Sequence, residues 1–236
     1  MNRSVRAGAR MHYLEFMAAL HERLAPRTYL EIGVAGGHSL AVSRCASVGV
    51  DPGFAVDQEV LAPVSLWRCT SDEYFRSLGE GSRTPFGELP IDLTYIDGMH
   101  LFENAMRDFI GAERYSSPSS VIAFDDVLPR NINEAARNPA MFPWTGDVFR
   151  IRFALKKHRP DLKQVLVDTE PTGTLLVARL DPASSVLCDR LDEIVRDYVQ
   201  PDPQPVSAAV LTRAGAITPR RALSLKLWDE LAAARD

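Results

Sequence analysis

The chain has 236 residues, 46% of them hydrophobic and 25% charged, with a formal net charge of −4. That is enough for one α/β domain with appendages around a sizeable core, and the acid excess with scattered arginines excludes a general pull toward nucleic acid or an anionic membrane. Cys45, Cys69 and Cys188 lie far apart with no CxxC pair, which excludes a zinc ribbon or disulfide framework and points to reduced thiols in a cytoplasmic compartment.

In chain order, Glu15, His21, Glu22 and Arg23 interrupt the N-terminal apolar residues, so neither a signal peptide nor a membrane span is expected. Leu14, Met17, Leu20 and Leu24 recur at helical spacing, and 13–24 reads as an amphipathic helix ended by Pro26. "TYLEIGV" (28–34) is a short apolar strand, "GVAGGHS" a glycine-rich turn, and "HSLAVSRCA" (38–46) a helix. Strands follow at 47–52 and 65–72, then a short helix, "DEYFRSLGEG" (72–81), with a glycine stop. "PIDLTYIDG" (90–98) is the fourth strand, 101–115 a helix, and "SVIAFDD" (120–126) the fifth strand. A loop with Pro129, Pro139 and Pro143 leads to a helix at 146–159. "LKQVLVDT" and "TLLVARL" around "EPTG" form a hairpin signature. Beyond 182 come a helix (185–199), a Pro-rich spacer (200–207) and a last helix with Thr218 as N-cap and Pro219 at its first position.

This alternation predicts an α/β fold: a Rossmann-like, doubly wound, mostly parallel seven-stranded sheet with an antiparallel C-terminal hairpin. It also gives a division into an N-terminal helical segment (1–27), a nucleoside-binding domain (28–181) and a C-terminal helical extension (182–236). The first and last helices could cover a site or form a homodimer face; their apolar stripes are equally what core helices need. His12, His21 and His158 read as surface residues of helices.

Ligands of open α/β sheets bind at the carboxyl ends of the strands. Here Glu31 precedes the glycine turn, and Asp51, Asp97 and Asp125 close later strands. Asp51 follows Glu31 at the spacing of an acid that binds ribose hydroxyls, but Val34-Ala35 stand where a dinucleotide fingerprint needs its second glycine. Strands four and five are joined by one crossover helix, so Asp97, Asp125 and Asp126 should converge. Three carboxylates that close oppose each other unless a cation joins them, and a hard divalent ion, Mg²⁺ first, resolves the conflict. Without the matching Asp97, an Asp-Asp pair would read as a helix cap or a solvated turn.

"LEIGVAGGHS" resembles the first motif of class I S-adenosylmethionine-dependent methyltransferases, with Asp51 as the second-motif acid and "TSDEYF" as the stretch beside adenine. The resemblance spans roughly residues 28 to 181. It implies that Gly33, Gly37 and Ser39 shape the pocket for the methionine part, that Glu31 acts near that end partly through water, that Asp51 holds both ribose hydroxyls, and that Ser71 and Asp72 border the base. "YIDGMH" and "FDDV" resemble the metal motifs of Mg²⁺-dependent O-methyltransferases. His100 stands where the catechol-type members carry a lysine base, and "IDGxHxxExxxxD", with Glu103 and Asp108, is similar to the branch that methylates sugar hydroxyls. Cephalosporin hydroxylase-like and macrocin O-methyltransferase-like sequences carry a similar pattern. The implied activity is Mg²⁺-assisted methyl transfer to a hydroxyl of a sugar, glycoside or polysaccharide. His100 or Asp97 is the base; His100 could instead orient Asp97. Arg130, Asn131 and Trp144, in the loop after strand five, are candidate substrate contacts, with Asn133 beside them. The rival readings are an NAD-dependent oxidoreductase and a non-catalytic nucleoside-binding protein of the same fold.

Overall fold

The computed structural model describes residues 11–79, 84–139 and 144–235; residues 1–10, Gly81 of the expected glycine stop and Pro143 of the loop lie outside the described residues. The first half runs α1 (Tyr13–Leu24), β1 (Thr28–Ile32), β2 (Ala46–Val50), β3 (Val64–Trp67), α2 (Ser71–Leu78), β4 (Leu93–Ile96), α3 (Phe102–Arg114) and β5 (Val121–Phe124). Then come α4 (Ile151–His158), β6 (Lys163–Val167), β7 (Thr174–Ala178) and α5 (Val186–Asp189). The chain finishes with α6 (Leu191–Tyr198), α7 (Ala208–Leu211), α8 (Pro219–Leu223) and α9 (Leu227–Ala233).

The seven strands form one sheet in the order β3-β2-β1-β4-β5-β7-β6. β1 to β5 pair in parallel, and β7 runs antiparallel to both β5 and β6. The expected Rossmann-like architecture with its C-terminal hairpin is therefore present. The strand order reverses between β1 and β4, whose carboxyl ends open the crevice where such sheets bind ligands.

Both faces of the sheet are covered, and side chains divide by strict alternation. Leu30, Ile32, Ile96, Ile122 and Phe124 face the core beneath α2, α3, α4 and α6. Tyr29, Leu93, Tyr95, Val121 and Ala123 face the other side, beneath α1, α8 and α9. Burying a side chain of this size contributes about 1.5–3 kcal/mol, and coverage on both faces accounts for the apolar runs read as strands. The stripe of α1 (Phe16, Met17, Leu20, Leu24) is spent inside this second core with Trp228 of α9. The extension joins the domain as well: Leu187 and Ile194 enter the first core.

Several local expectations need correction: the helix over 185–199 breaks at Arg190 into α5 and α6, and the strand over 65–72 ends at Trp67, its last residues opening α2. The helix over 38–46 is only one turn of 3-10 helix, Leu40–Val42. Arg44 ends it by donating to the carbonyls of Ala41, Val42 and Ser43, and the Ser43 hydroxyl turns to Ser47 at 2.9 Å, a local competition that Ser residues favour. The last helix breaks at Ser224 into α8 and α9, so that the indole N–H of Trp228 reaches the carbonyl of Ala222 at 2.6 Å. His21 and His158 are buried rather than on the surface, with their rings packed against Tyr29 and Tyr198.

Candidate active site

At the end of β1, Gly33 takes φ +90°, and a Cβ there would lie 2.0 Å from the carbonyl oxygen of Asp97. Only glycine lets the exits of β1 and β4 pass this closely. The turn then folds over the end of β2, where Asp51 accepts hydrogen bonds from the N–H groups of Val34 (2.9 Å), Ala35 (2.8 Å) and Gly53 (2.6 Å). Glu31 lies one layer below. It is fully buried and accepts from Tyr29 (2.6 Å) and Ser39 (2.9 Å). Burial raises its carboxyl to about 8 against the pull of those two hydrogen bonds.

The strand-five pair separates by backbone geometry. Asp125 continues the alternation of β5 toward the α1 side and accepts from Tyr95 at 2.8 Å; its Oδ1 is buried with no partner. Asp126 adopts φ +61°, a left-handed conformation that aspartate tolerates better than most residues. The turn brings its Oδ2 to 3.0 Å from Nδ1 of His100, whose Nε2 lies 3.3 Å from Asp97 Oδ1. Ligand atoms of Asp97, His100 and Asp126 all lie within 4.8 Å of one another.

The electrostatics follow from this crowding. Burial, then the charges of Asp126 and Asp97, hold the Asp125 carboxyl far above its ordinary range. Burial also lifts Asp126, to about 7, against the pull of His100. Burial alone would lower His100, but its hydrogen bond to Asp97 and the neighbouring Asp126 charge outweigh this and raise it to about 9. His100 thus stands between two of the three acids, which favour its protonated form. Nδ1 also faces the carbonyl of Trp144 at 2.5 Å, and the two rings stack at 5.1 Å. Gly146 fixes this loop: a Cβ there would lie 1.6 Å from the His100 carbonyl oxygen.

These residues line a cavity of about 620 Å³, a size that suits a cofactor with a small acceptor. Its wall includes Gly33, Ser39, Asp51, Ser71, Asp97, His100, Asp125, Asp126 and Trp144. Five of the expected residues are not on it. Glu31 and Gly37 support the glycine turn from behind, the latter at φ +82° against Val56. Asp72 points away and pairs with Arg107 at 3.1 Å. Arg130 pairs with the Glu134 carboxylate at 2.6 Å, and Asn131 accepts from the Glu134 backbone N–H.

The cavity also takes in residues not singled out as ligand contacts. Tyr13 of α1 lines it, and burial, then Asp97, Asp125 and Asp126, hold its phenol well above its ordinary value. Thr172, from the hairpin turn, faces Asp126. Nothing local in the sequence marks either residue, since both arrive by long-range packing. Asp108 was visible only as part of the pattern that starts at Asp97.

Residues 30–127 match the family model described as a methyltransferase domain. Comparison with curated proteins finds no match. Among solved structures, a protein from Klebsiella pneumoniae assigned as an O-methyltransferase shares 21% identity, over 75% of this chain and 83% of that one, with a TM-score of 0.52. The O-methyltransferase from Bacillus cereus in complex with SAH shares 17%, over 72% and 80%, at 0.52. Cofactor-bound Rv0187 from MTB shares 19%, over 74% and 82%, at 0.51. At these identities the structures attest the fold alone. Sheet order, glycine turn and domain match agree: residues 30–127 are similar to a methyltransferase domain, and the chain has the fold of the solved O-methyltransferase structures.

Proposed function

We propose that the protein transfers a methyl group from S-adenosylmethionine to a hydroxyl oxygen of a sugar, glycoside or polysaccharide, with Mg²⁺ held by Asp97, Asp125 and Asp126. The observation that carries this reading is the buried Asp125 Oδ1 without a partner, beside the Asp97, His100 and Asp126 cluster. The three carboxylates carry more negative charge than His100 alone can offset, and a doubly charged ion takes over that neutralisation. Carboxylate oxygens suit a hard cation of this size.

When bound, Mg²⁺ lowers the pKa of a hydroxyl that approaches it, and S-adenosylmethionine supplies a methyl group on positive sulfur. The chain's own residues do the rest. Asp51, oriented by three backbone N–H groups that fill Oδ2 and half of Oδ1, keeps one lone pair on Oδ1 for a ribose hydroxyl. Ser39 lines the methionine end and is held there by Glu31. Tyr13 and Trp144 supply aromatic walls that exclude water and suit the apolar face of a sugar ring. The Trp144 carbonyl keeps a proton on Nδ1 of His100, which leaves Nε2 as the atom to take the hydroxyl proton. That role requires the neighbouring carboxylates to be neutralised, because otherwise they hold the second proton on the ring.

Thermal-shift assays with S-adenosylhomocysteine, NAD and buffer, each with and without Mg²⁺, test the donor. S-adenosylhomocysteine should stabilise the protein and NAD should not. Methyl transfer to a panel of sugars, vicinal diols and catechols should vanish after chelation with EDTA and return with Mg²⁺. Full activity in rigorously chelated protein would overturn the metal assignment, and catechols outperforming every sugar would overturn the acceptor class.

A further inference from the structure

The acid expected beside the base, Asp72, points away from the cavity, so another residue must read that end of the ligand. Asp108, on the inner face of α3, lines the cavity and is only 3% exposed. The Ser71 hydroxyl faces it, but no backbone N–H or cationic side chain among the described residues donates a hydrogen bond to it. Arg107, its neighbour in sequence, is committed to Asp72. A carboxylate buried at a cavity wall without an N–H donor is costly unless a ligand supplies one.

Its position indicates which donor. A Cβ on Gly98 would lie 3.9 Å from Asp108 Oδ2, so the carboxylate stands close beside the exit of β4. Thr70 and Ser71, at the start of α2, complete that end of the cavity, and Pro52 and Met99 line the wall with apolar atoms. Asp51, the ribose acid of the proposed function, shares the wall through the end of β2. A base carried by that ribose and running between Pro52 and Met99 presents its edge to Ser71 and Asp108.

We propose that Asp108, rather than Asp72, reads the purine of the methyl donor, its carboxylate accepting a hydrogen bond from the exocyclic amino group of adenine. The inference rests on the S-adenosylmethionine reading above. Burial holds the Asp108 carboxyl near 7, and an amino donor against it favours the ionised form. A site built to accept from an N–H rejects a ligand that presents a carbonyl oxygen there, since two acceptors would then face each other.

Titration calorimetry with S-adenosylhomocysteine and S-inosylhomocysteine, which carries oxygen in place of the amino group, tests this on the full chain. The wild-type protein should prefer the adenine compound by about tenfold or more. Asp108→Ala should lose about tenfold or more of that affinity and bind the two compounds alike. Asp108→Asn, whose amide can turn its oxygen to the amino group or its NH2 to the carbonyl, should bind both compounds and narrow the preference, and Asp72→Ala should match the wild type. Equal wild-type affinities, or a preference that survives in Asp108→Ala or disappears in Asp72→Ala, would overturn the assignment. The wild-type ratio decides the matter even if Asp108→Ala does not fold. Failure of wild-type protein to bind S-adenosylhomocysteine at all would remove the donor reading together with this one, whereas binding without discrimination removes this one alone.

Discussion

Asp125 and Asp126 are adjacent in sequence yet do different things. The first stays in register with its strand and accepts a hydrogen bond from Tyr95; the second turns through a positive φ and forms an ion-pair contact with His100. The proposed roles separate accordingly. Asp125→Ala should lower methyl transfer about a hundredfold or more while the dissociation constant for S-adenosylhomocysteine stays within about twofold, measured by steady-state kinetics and calorimetry. Equal loss of both would contradict a cofactor pocket distinct from the metal acids. His100→Ala should cost about 10²–10⁴ in turnover, the usual worth of a general base, and higher pH should recover part of it. An unaltered rate would hand proton removal to Asp97 or to water. The convergence of these acids could be read in advance because alternation and strand ends are local properties of the sequence. The redirection of Asp126 could not, since it depends on the hairpin turn and on a histidine held by the Trp144 loop.

At the scale of elements, the glycine turn is the part most exactingly fitted. Gly33→Ala would place a methyl group on the Asp97 carbonyl and demand a left-handed backbone. Overpacking and the conformational penalty together should cost about 3 kcal/mol or more, read as a lower midpoint in urea, with weaker S-adenosylhomocysteine binding. The parallel strands, the hairpin and α1 were legible because their apolar runs and turn residues are contiguous. The stretch 38–46 was not: its apolar spacing suits a helix, but Arg44 and the serines satisfy the carbonyls locally and end it after one turn. Asp72 misled for a related reason. Its place after β3 suits a ligand contact, yet the neighbouring α3 offers Arg107, and that pairing is a tertiary fact.

For the whole molecule, several groups hold protons to higher pH in the folded chain than in the unfolded one. Glu31 is raised to about 8 and His100 to about 9, from ordinary values near 4.3 and 6.5. The folded state therefore binds more protons across the interval, and stability falls as pH rises through it. His21, lowered to about 4 by burial, acts the other way, but only below its ordinary value. The clean window is about pH 7 to 9. Metal-free protein should show a falling Tm over that range, and Mg²⁺ should raise Tm more at pH 9 than at pH 7, because it competes with protons for the same oxygens. A Tm that climbed between those values in chelated protein would contradict the placement of these groups.

The second core also joins distant parts of the polypeptide. Arg23 of α1 and Asp229 of α9, 206 positions apart, meet at 2.6 Å, and Arg235 reaches back to the Leu24 carbonyl. The helix that brings Tyr13 to the cavity thus leans on a segment made some two hundred residues later. During synthesis that wall leaves the ribosome well before its backing is made, so a change confined to α9 should be felt at the acceptor end of the site.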